Sequence, residues 1–230
     1  MKLFFGIVIG LLLAIGIAGG AAYMAFGDLS DIGERDKSKD VTETYDVAGF
    51  DEIDIGGVYE VNVSVGQDFS VTLSGAPEEM AIANVSVEHG VLTLNQDEPR
   101  RGKRRWRNMG MTANISLPAL NGIDVAGVAD ADITGVAADG FTARLSGVGE
   151  IDISGTCNAL SARVSGVGDL DASDLECADV DVRVSGVGEA EVYASQSADA
   201  SVSGIGSITV YGSPARVEKS SGFLSEIKVK

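Results

Sequence analysis

The run LSGVGEIDISGTCNALSARVSGVGDLDASD, Leu145–Asp174, decides the fold, because it contains two successive copies of one motif. Related copies begin at Val125, Val184 and Val202. The first glycine of each copy recurs at spacings of 20, 19, 20 and 18 residues, at Gly127, Gly147, Gly166, Gly186 and Gly204. Five copies at a nearly constant period indicate a repeat protein in which each unit packs only on its neighbours.

Apolar and polar residues alternate on both sides of each Gly-x-Gly. Phe141, Ala143 and Leu145 alternate with Thr142 and Arg144, which is typical of a strand with one buried face. The glycines supply the backbone freedom for a tight corner between two strands. The pattern predicts an inward series made of Phe141, Ala143, Leu145, Ile151, Ile153, Leu160, Ala162, Val164, Leu170, Ala172, Val180, Val182, Val184 and Val192.

A unit of 18–20 residues is too short for a propeller blade, which needs about 40–45 residues. Coils of this length, stacked at about 4.8 Å, predict an all-β fold, a parallel β-helix or β-solenoid. The general handedness of parallel crossovers favours right-handed winding. An antiparallel immunoglobulin-type sandwich is the alternative fold. Within the domain at 41–230 we expect irregular coils over 41–120, regular repeats over 121–212 and a C-terminal cap over 213–230.

The N-terminal segment, residues 1–27, contains an uncharged run from Leu3 to Phe26. Twenty-four helical residues rise about 36 Å, enough to cross a bilayer core of about 30 Å. Lys2 precedes the run and acidic residues follow it, which predicts a single-pass anchor in the bacterial cytoplasmic membrane with the domain outside. The alternative is a signal peptide cleaved near Ala22–Gly27, which would give a secreted form. Residues 28–40 are polar and predict a short linker.

Three quoted runs carry a family resemblance that covers about four-fifths of the chain, from about Val47 to Lys230. They are FDEIDIGGVYEVNVSVG near the start, the successive SGVG(E/D) motifs, and the closing VYGSPARVEKSSG. In this order they resemble the head GIN domain family, whose members are named as putative autotransporter adhesins. The resemblance implies a β-helical envelope domain, and it implies no particular functional residues.

The charge balance and the residue types exclude several functions. With 34 acidic against 17 basic residues the net charge is −17, which disfavours nucleic acid as a partner. His89, the only histidine, precedes a glycine and is expected in an exposed turn. The Gly-x-Gly runs lie between strands, where no helix N-terminus could receive a phosphate. We therefore predict that the chain is not an enzyme and needs no cofactor.

Stacking of the copies predicts two outward columns of carboxylates. One contains Asp130, Glu150, Asp169 and Glu189, and the other Asp132, Asp152, Asp171 and Glu191. Like charges one rung apart raise pKa values or recruit cations. Asp130, Asp132, Glu150, Asp152, Asp169 and Asp171 are therefore weak candidates for a metal site, although a solvated acidic face explains the columns without a metal.

Basic residues form one cluster and one column. The cluster interrupts the acidic domain at Pro99–Asn108 and contains Arg100, Arg101, Lys103, Arg104, Arg105 and Arg107 around Trp106, the only tryptophan. It predicts a surface for anionic lipid, acidic glycan or another envelope protein, against the simpler interpretation of a solvated loop. The column contains Arg144, Arg163 and Arg183, which we expect to neutralise the neighbouring acidic columns.

Cys157 and Cys177 each lie nine residues before a repeat glycine, so they are expected on adjacent rungs. An oxidising compartment permits a disulfide between them, and a buried pair of thiols is the alternative.

These features favour a non-catalytic module of the cell envelope with an adhesive, structural or ligand-display role. The alternatives are a carbohydrate-active solenoid enzyme of the polysaccharide lyase type, and an envelope-sensing partner of another membrane protein. A deep groove with clustered Asp, Arg and Lys would favour the enzyme, and flat ladders would favour the display module.

Overall fold

The computed structural model describes residues 39–97 and 110–230. The predicted anchor at 1–27, most of the linker and the whole basic cluster Pro99–Asn108 lie outside the described residues. Within the described part of the chain, no helix is long and apolar enough to cross a membrane. The helix α1, Pro77–Met80, is four residues long.

The repeats form one continuous parallel stack. The strands are β8 (Gly122–Val125), β9 (Val128–Leu145), β10 (Val148–Val164), β11 (Val167–Val184), β12 (Val187–Val202) and β13 (Ile205–Tyr211). Each of β9 to β12 runs parallel to the next strand, with register shifts where the coil bends. The prediction of a parallel β-solenoid with coils of about 20 residues is therefore confirmed, and the antiparallel sandwich was the wrong alternative. The right-handed winding stays a prediction.

The core is a set of stacked aliphatic ladders. Every residue of the predicted inward series is at most 4% exposed. Phe141 stacks on Leu160, which stacks on Val180, and the same register continues to Ala198. A single coil could not bury these side chains by itself, so stacking of the coils is what removes them from water.

The glycine corner brings the backbones of neighbouring coils into close contact. The amide of Val148 donates to the carbonyl of Gly127 at 2.9 Å, and the same bond recurs at Val167, Val187 and Ile205. A Cβ on Gly147 would collide with the carbonyl oxygen of Gly127, and Gly149 has φ 145° beside the carbonyl of Ala129. The corner therefore requires glycine for both space and conformation.

The first third of the domain mixes coils with antiparallel pairs. Its strands are β1 (Val41–Tyr45), β2 (Glu52–Ile55), β3 (Val58–Val65), β4 (Ser70–Gly75), β5 (Ala83–Glu88), β6 (Val91–Gln96) and β7 (Met111–Leu117). Strands β1, β4 and β7 pair antiparallel, as do β5 and β6. His89 and Gly90 both have positive φ in the β5–β6 turn, so the expected exposed turn at this histidine is confirmed.

The spatial order of the early coils differs from their order in the sequence. β2 lies between β6 and β8, and β3 lies between β7 and β9, with parallel pairing on both sides. The coil that contains β6 and β7 is therefore stacked outside the coil that contains β2 and β3. After Leu117 the chain passes over that coil to begin β8 at Gly122.

The C-terminal cap adds a further layer to the stack. β14 (Arg216–Ser221) pairs parallel with β12, and β15 (Ser225–Val229) pairs parallel with β13. Lys228 forms an ion pair with Glu226 at 2.9 Å, and the Lys230 ammonium lies 5.2 Å from the ring centroid of Tyr211. Charged side chains at this edge oppose pairing with another strand.

Candidate binding surfaces

One outward side of the solenoid is a ten-stranded face that contains the predicted carboxylates. Its strand order is β1-β4-β7-β3-β9-β10-β11-β12-β13-β15. The register places Asp130 beside Glu150 and Glu150 beside Asp169, and Asp132, Asp152 and Asp171 form the next column. The column that ends in Glu191 is also confirmed by its pairing with Asp171. We call the columns Asp130, Glu150, Asp169, Glu189 and Asp132, Asp152, Asp171, Glu191 the acidic face.

Mutual repulsion perturbs the carboxyl groups at the centre of the acidic face. The pKa of Glu150 is raised, first by the negative charge of Asp152, then by burial, and then by Asp169 and Asp130. The pKa of Asp152 is raised by burial and then by its ladder neighbours Asp171 and Asp132. Across the residues that the structure describes, no group of three or more carboxylate, histidine or cysteine side chains could hold a metal ion. The weak candidacy of these columns as cation ligands stays a prediction.

The same columns continue beyond the acidic face through one more carboxylate, Glu60, and then through neutral polar side chains. Glu60 pairs with Asp130 on one side and with Thr112 on the other, and the Thr112 hydroxyl lies 3.3 Å from the Glu60 carboxylate. Asn62 and Asn114 occupy the second column, with an amide hydrogen bond of 3.3 Å. The charge is thus concentrated at the centre of a wider hydrophilic sheet.

The arginine column lies on the other side of the glycine corner from the acidic face. Arg144, Arg163 and Arg183 stack in register. Arg183 forms its ion pair with Asp181 of its own strand at 3.0 Å, and Arg163 donates to the Ser161 hydroxyl at 2.8 Å. The expectation that this column neutralises the acidic columns was therefore wrong, because the corner turns the two sets of side chains onto different faces.

An open groove runs along the face that contains the arginine column. Its volume is about 690 Å³, and small residues such as Gly140 and Ala159 form part of its lining. Carboxylates dominate its charged lining, with Asp179, Asp181 and Asp199 among them and Arg216 at one side. The groove follows repeat positions and is not an interruption of the repeat.

A line of exposed aliphatic residues occupies the corner itself, between the two faces. The residue that follows the first glycine is 46–53% exposed in every repeat. Leu224, 62% exposed, directly precedes Ser225, which pairs with Gly206, so it continues the line by one rung. We call these residues the apolar ridge: Val128, Val148, Val167, Val187, Ile205 and Leu224.

The apolar ridge was missed in the sequence, although the alternation contains its signal. Leu145 and Ile151 point inward, so the two-residue period places Val148 outward. The residue after the first repeat glycine is a valine or isoleucine in every copy, and its outward parity is the signal.

The two cysteines occupy equivalent positions on adjacent rungs. Cys157 pairs with Cys177 in the register of β10 and β11, and their sulfur atoms are bonded. Ala138 and Ala194 occupy the same column on the two flanking rungs. The disulfide therefore joins two successive coils at a buried position.

The basic cluster Pro99–Asn108 connects β6 to β7, and both of its flanking strands are described. β6 lies beside β2 and β7 lies beside β3, which places the two ends of the connection at the corner of the adjacent coil, at Gly56 and Gly57. The proposed contact role of Arg100, Arg101, Lys103, Arg104, Arg105, Trp106 and Arg107 stays a prediction.

The parallel stacking of equivalent coils makes this chain a β-solenoid repeat domain. The chain belongs to the family described as "Putative auto-transporter adhesin, head GIN domain", whose model matches residues 49–214.

Solved structures give the same result for the fold. A putative adhesin from Bacteroides fragilis is 28% identical with a TM-score of 0.69, over 84% of this chain and 98% of that one. A putative adhesin from Parabacteroides merdae is 14% identical with a TM-score of 0.52, over 84% and 97% of the two chains. No curated protein matches the chain.

Proposed function

We propose that the chain is a non-catalytic display module of the bacterial cell envelope, held by its N-terminal segment at the outer side of the cytoplasmic membrane. The observation that carries this proposal is the regular continuation of outward columns across the ten-stranded face. An active site needs a local set of unlike residues in one place, whereas these columns repeat like residues on successive rungs. Membership of an adhesin-like family supports the same role.

The proposed location rests on sequence and on disulfide chemistry. The uncharged run Leu3–Phe26 is long enough to cross a bilayer, and Lys2 favours a cytoplasmic N-terminus. A bond between Cys157 and Cys177 fits a domain outside the reducing cytoplasm. A reporter fused after residue 40 should be active only outside the cytoplasm, and a mature N-terminus near Ala22–Gly27 would instead identify a cleaved, secreted form.

The proposed contact of this module is its basic cluster, which would bind anionic lipid headgroups or acidic glycan. Six of the 17 basic residues lie within ten positions of a strongly acidic chain. A positive segment on a negative domain concentrates polyanions locally, and its attraction falls as salt increases.

The experiment compares two variants of the full chain that lose the same charge. One replaces Arg101, Arg104, Arg105 and Arg107 with Gln, and the control replaces Arg216, Lys219, Lys228 and Lys230, which are exposed in the C-terminal cap. Binding to phosphatidylglycerol vesicles and to an acidic polysaccharide should fall in the first variant and persist in the control. Equal losses would show a non-specific charge effect, and no binding by the parent at low salt would remove the basic cluster as a contact.

The open groove on the arginine face favours a second candidate, a carbohydrate-active enzyme. Its neighbouring carboxylates Asp179, Asp181 and Asp199 lie beside Arg216, and acid–base cleavage of a sugar polymer uses such groups. Incubation with acidic polysaccharides should release no shorter or unsaturated products if the display proposal is correct. Product release that is lost in Asp181→Asn would establish the enzyme instead.

A further inference from the structure

We propose that the C-terminal strand β15 is a self-association edge, through which two copies of this chain pair antiparallel and join their sheets end to end. β15 is the last strand of the ten-stranded order, and among the described residues it pairs only with β13. An edge strand with unpaired amides and carbonyls is a template for a further strand. Addition of a strand to a sheet edge is a recurrent mode of recognition, in which main-chain hydrogen bonds provide the affinity.

The open edge of β15 has its hydrogen-bonding groups at alternate residues. The Lys230 amide donates to the Val210 carbonyl of β13 at 2.9 Å. Because successive residues of a strand direct their amides to opposite sides, the residues two and four positions before Lys230 also face β13. The amides and carbonyls of Ser225, Ile227 and Val229 therefore point to the open edge, where an antiparallel strand can bind them.

The inward side chains of β15 are incompletely covered. Ile227 stacks on Ile208, and Val229 stacks on Val210. Ile208 and Val210 lie between two rungs and are fully buried, whereas Val229, on the last rung, is 38% exposed. Phe223, two residues before the strand, is 100% exposed. A further strand on this edge would remove apolar surface from water.

The charges on the outer side of β15 fit a second copy of the same strand. Glu226 and Lys228 flank Ile227 and form an ion pair at 2.9 Å. When two copies pair antiparallel with Ile227 opposite Ile227, Glu226 of each copy lies opposite Lys228 of the other. The four charges then alternate in sign around the contact, so each charge has neighbours of opposite sign both along its own strand and across the pair.

Other registers place like charges opposite each other. Centring the pair on Glu226 or on Lys228 brings that residue opposite its own copy, and centring it on Val229 brings Lys228 opposite Lys230. Like charges directly opposite destabilise a strand pair. The charged side chains that oppose pairing of this edge with other strands therefore leave one self-pairing in which opposite charges meet.

The resulting dimer has a twofold axis normal to the sheet at Ile227, so the contact is isologous. This axis keeps the outward side outward, and the acidic faces of both copies lie on the same side of one continuous sheet. The other terminal strand, β14, has Lys219 in the inward column of Ala200, and an inward charge opposes pairing there. A contact of five residues, about 17 Å long, is far smaller than a standard interface and predicts a weak dimer.

Cysteine crosslinking of the full chain in detergent solution tests the pairing and its register. Ile227→Cys should give a disulfide-linked dimer upon mild oxidation, because opposite residues of such a pair have Cα atoms about 5.5 Å apart. Ser225→Cys and Val229→Cys should each give several-fold less by themselves, since each position lies about 14 Å along the strand from its own copy. An equimolar mixture of these two variants should crosslink at several-fold the yield of either one, and the parent chain provides the background.

The other results of this experiment overturn the proposal. Equal yields from the mixture and from each single variant would refute specific pairing at β15. A high yield from Ser225→Cys alone, without crosslinking of Ile227→Cys or of the mixture, would refute the register. The mixture keeps Ile227 intact, so a loss of pairing caused by the Ile227→Cys substitution itself is distinguished from an absence of pairing.

A charge exchange tests the proposed pairs in the mixture of Ser225→Cys with Val229→Cys. Glu226→Lys and Lys228→Glu should each lower the yield several-fold, because each places like charges opposite, and the double exchange should restore it. Glu218→Lys makes the same change of charge on β14 and should leave the yield unchanged. With all variants folded by circular dichroism, a double exchange as low as the single variants, or an equal loss in Glu218→Lys, would refute the charge pairing.

Discussion

The disulfide between Cys157 and Cys177 should make a measurable contribution to stability, and replacing both cysteines with alanine removes it. The bond joins residues 20 positions apart. In the chain-entropy model, closing a loop of this length removes about 11 cal/mol/K from the unfolded chain, or about 3 kcal/mol at 25 °C. The loss of two buried sulfur atoms adds a smaller term of the same sign.

Alanine is the appropriate substitute because the structure already uses it in this column. Ala138 and Ala194 lie on the rungs directly before and after the cysteine pair. The double variant therefore extends an existing alanine ladder and leaves the coil geometry unchanged. We expect it to fold with the same far-ultraviolet circular dichroism and to unfold about 6–12 °C lower than the oxidised parent.

The assay is equilibrium urea unfolding of the full chain, followed by circular dichroism, with and without reductant. Reductant should lower the stability of the parent to slightly above that of the double variant, because the reduced parent keeps both buried sulfur atoms, and it should leave the variant unchanged. If the oxidised parent and the double variant agree within about 0.5 kcal/mol, the bond contributes nothing and the entropic reasoning is refuted.

Two further changes have defined outcomes. Asp152→Asn should raise the unfolding temperature at neutral pH, because burial and the charges of Asp171 and Asp132 raise the Asp152 pKa in the folded state. Because the folded state binds the Asp152 proton more tightly than the unfolded chain does, protonation of this group stabilises the fold. That stabilisation is complete at pH values below the pKa in the unfolded chain. It is lost as the pH rises through the higher pKa of the folded state. Thermal scans from acid to neutral pH should therefore show parent and variant converging in acid, and a variant that is less stable at neutral pH would contradict this. Gly149→Ala should destabilise the fold by about 1–3 kcal/mol, since the residue has φ 145° and its Cβ would meet the Ala129 carbonyl. The control is Gly140→Ala, because a Cβ at this position has no atom within 4 Å. It should change the free energy of unfolding in urea by about 0.5 kcal/mol or less. Equal effects of the two substitutions would refute the need for glycine at the corner.

The regular half of the fold could be predicted from the sequence because every repeat carries the same pattern, so each copy supports the assignment made for the others. Four nearly equal glycine spacings and a two-residue alternation together determine strand, corner and inward side, and Phe141, Leu160 and Val180 are buried in register as predicted. A parallel stack is the solution that superposes equal residues on successive rungs.

The early coils could not be ordered in the same way. β2 and β3 are flanked on both sides by strands that come later in the chain, so the coil of β6 and β7 is stacked outside them. The connection at 118–121 is four residues long. At about 3.3 Å per residue it can pass one rung and reach the next, and no local signal distinguishes that path from a step to the adjacent coil.

The candidate surfaces were predicted to different extents, for a physical reason. The acidic columns follow from alternation alone, and the structure places Glu150 beside Asp169 as expected. The ion-pair partners of the arginine column could not be predicted without knowing how the backbone bends. Arg144 and Glu150 are six positions apart, but the corner at Gly147 turns them onto different faces. Periodicity reports which residues share a column, whereas the angle between columns is a property of the folded backbone.

A surface built from repeats should respond to mutation rung by rung. The acidic face, the arginine column and the apolar ridge each present one equivalent side chain per coil, at about 4.8 Å. The free energy of binding through such a column is the sum of small contributions from several side chains. Removal of one side chain should therefore weaken binding by a fraction, and removal of successive side chains should weaken it progressively. A catalytic site behaves differently, because the loss of one essential group abolishes most of the rate. A series that changes Val148, then Val167, then Val187 to Ser therefore distinguishes the two kinds of surface by the shape of its response. Graded loss of binding indicates contact along a ladder, and complete loss at one position indicates a localised site.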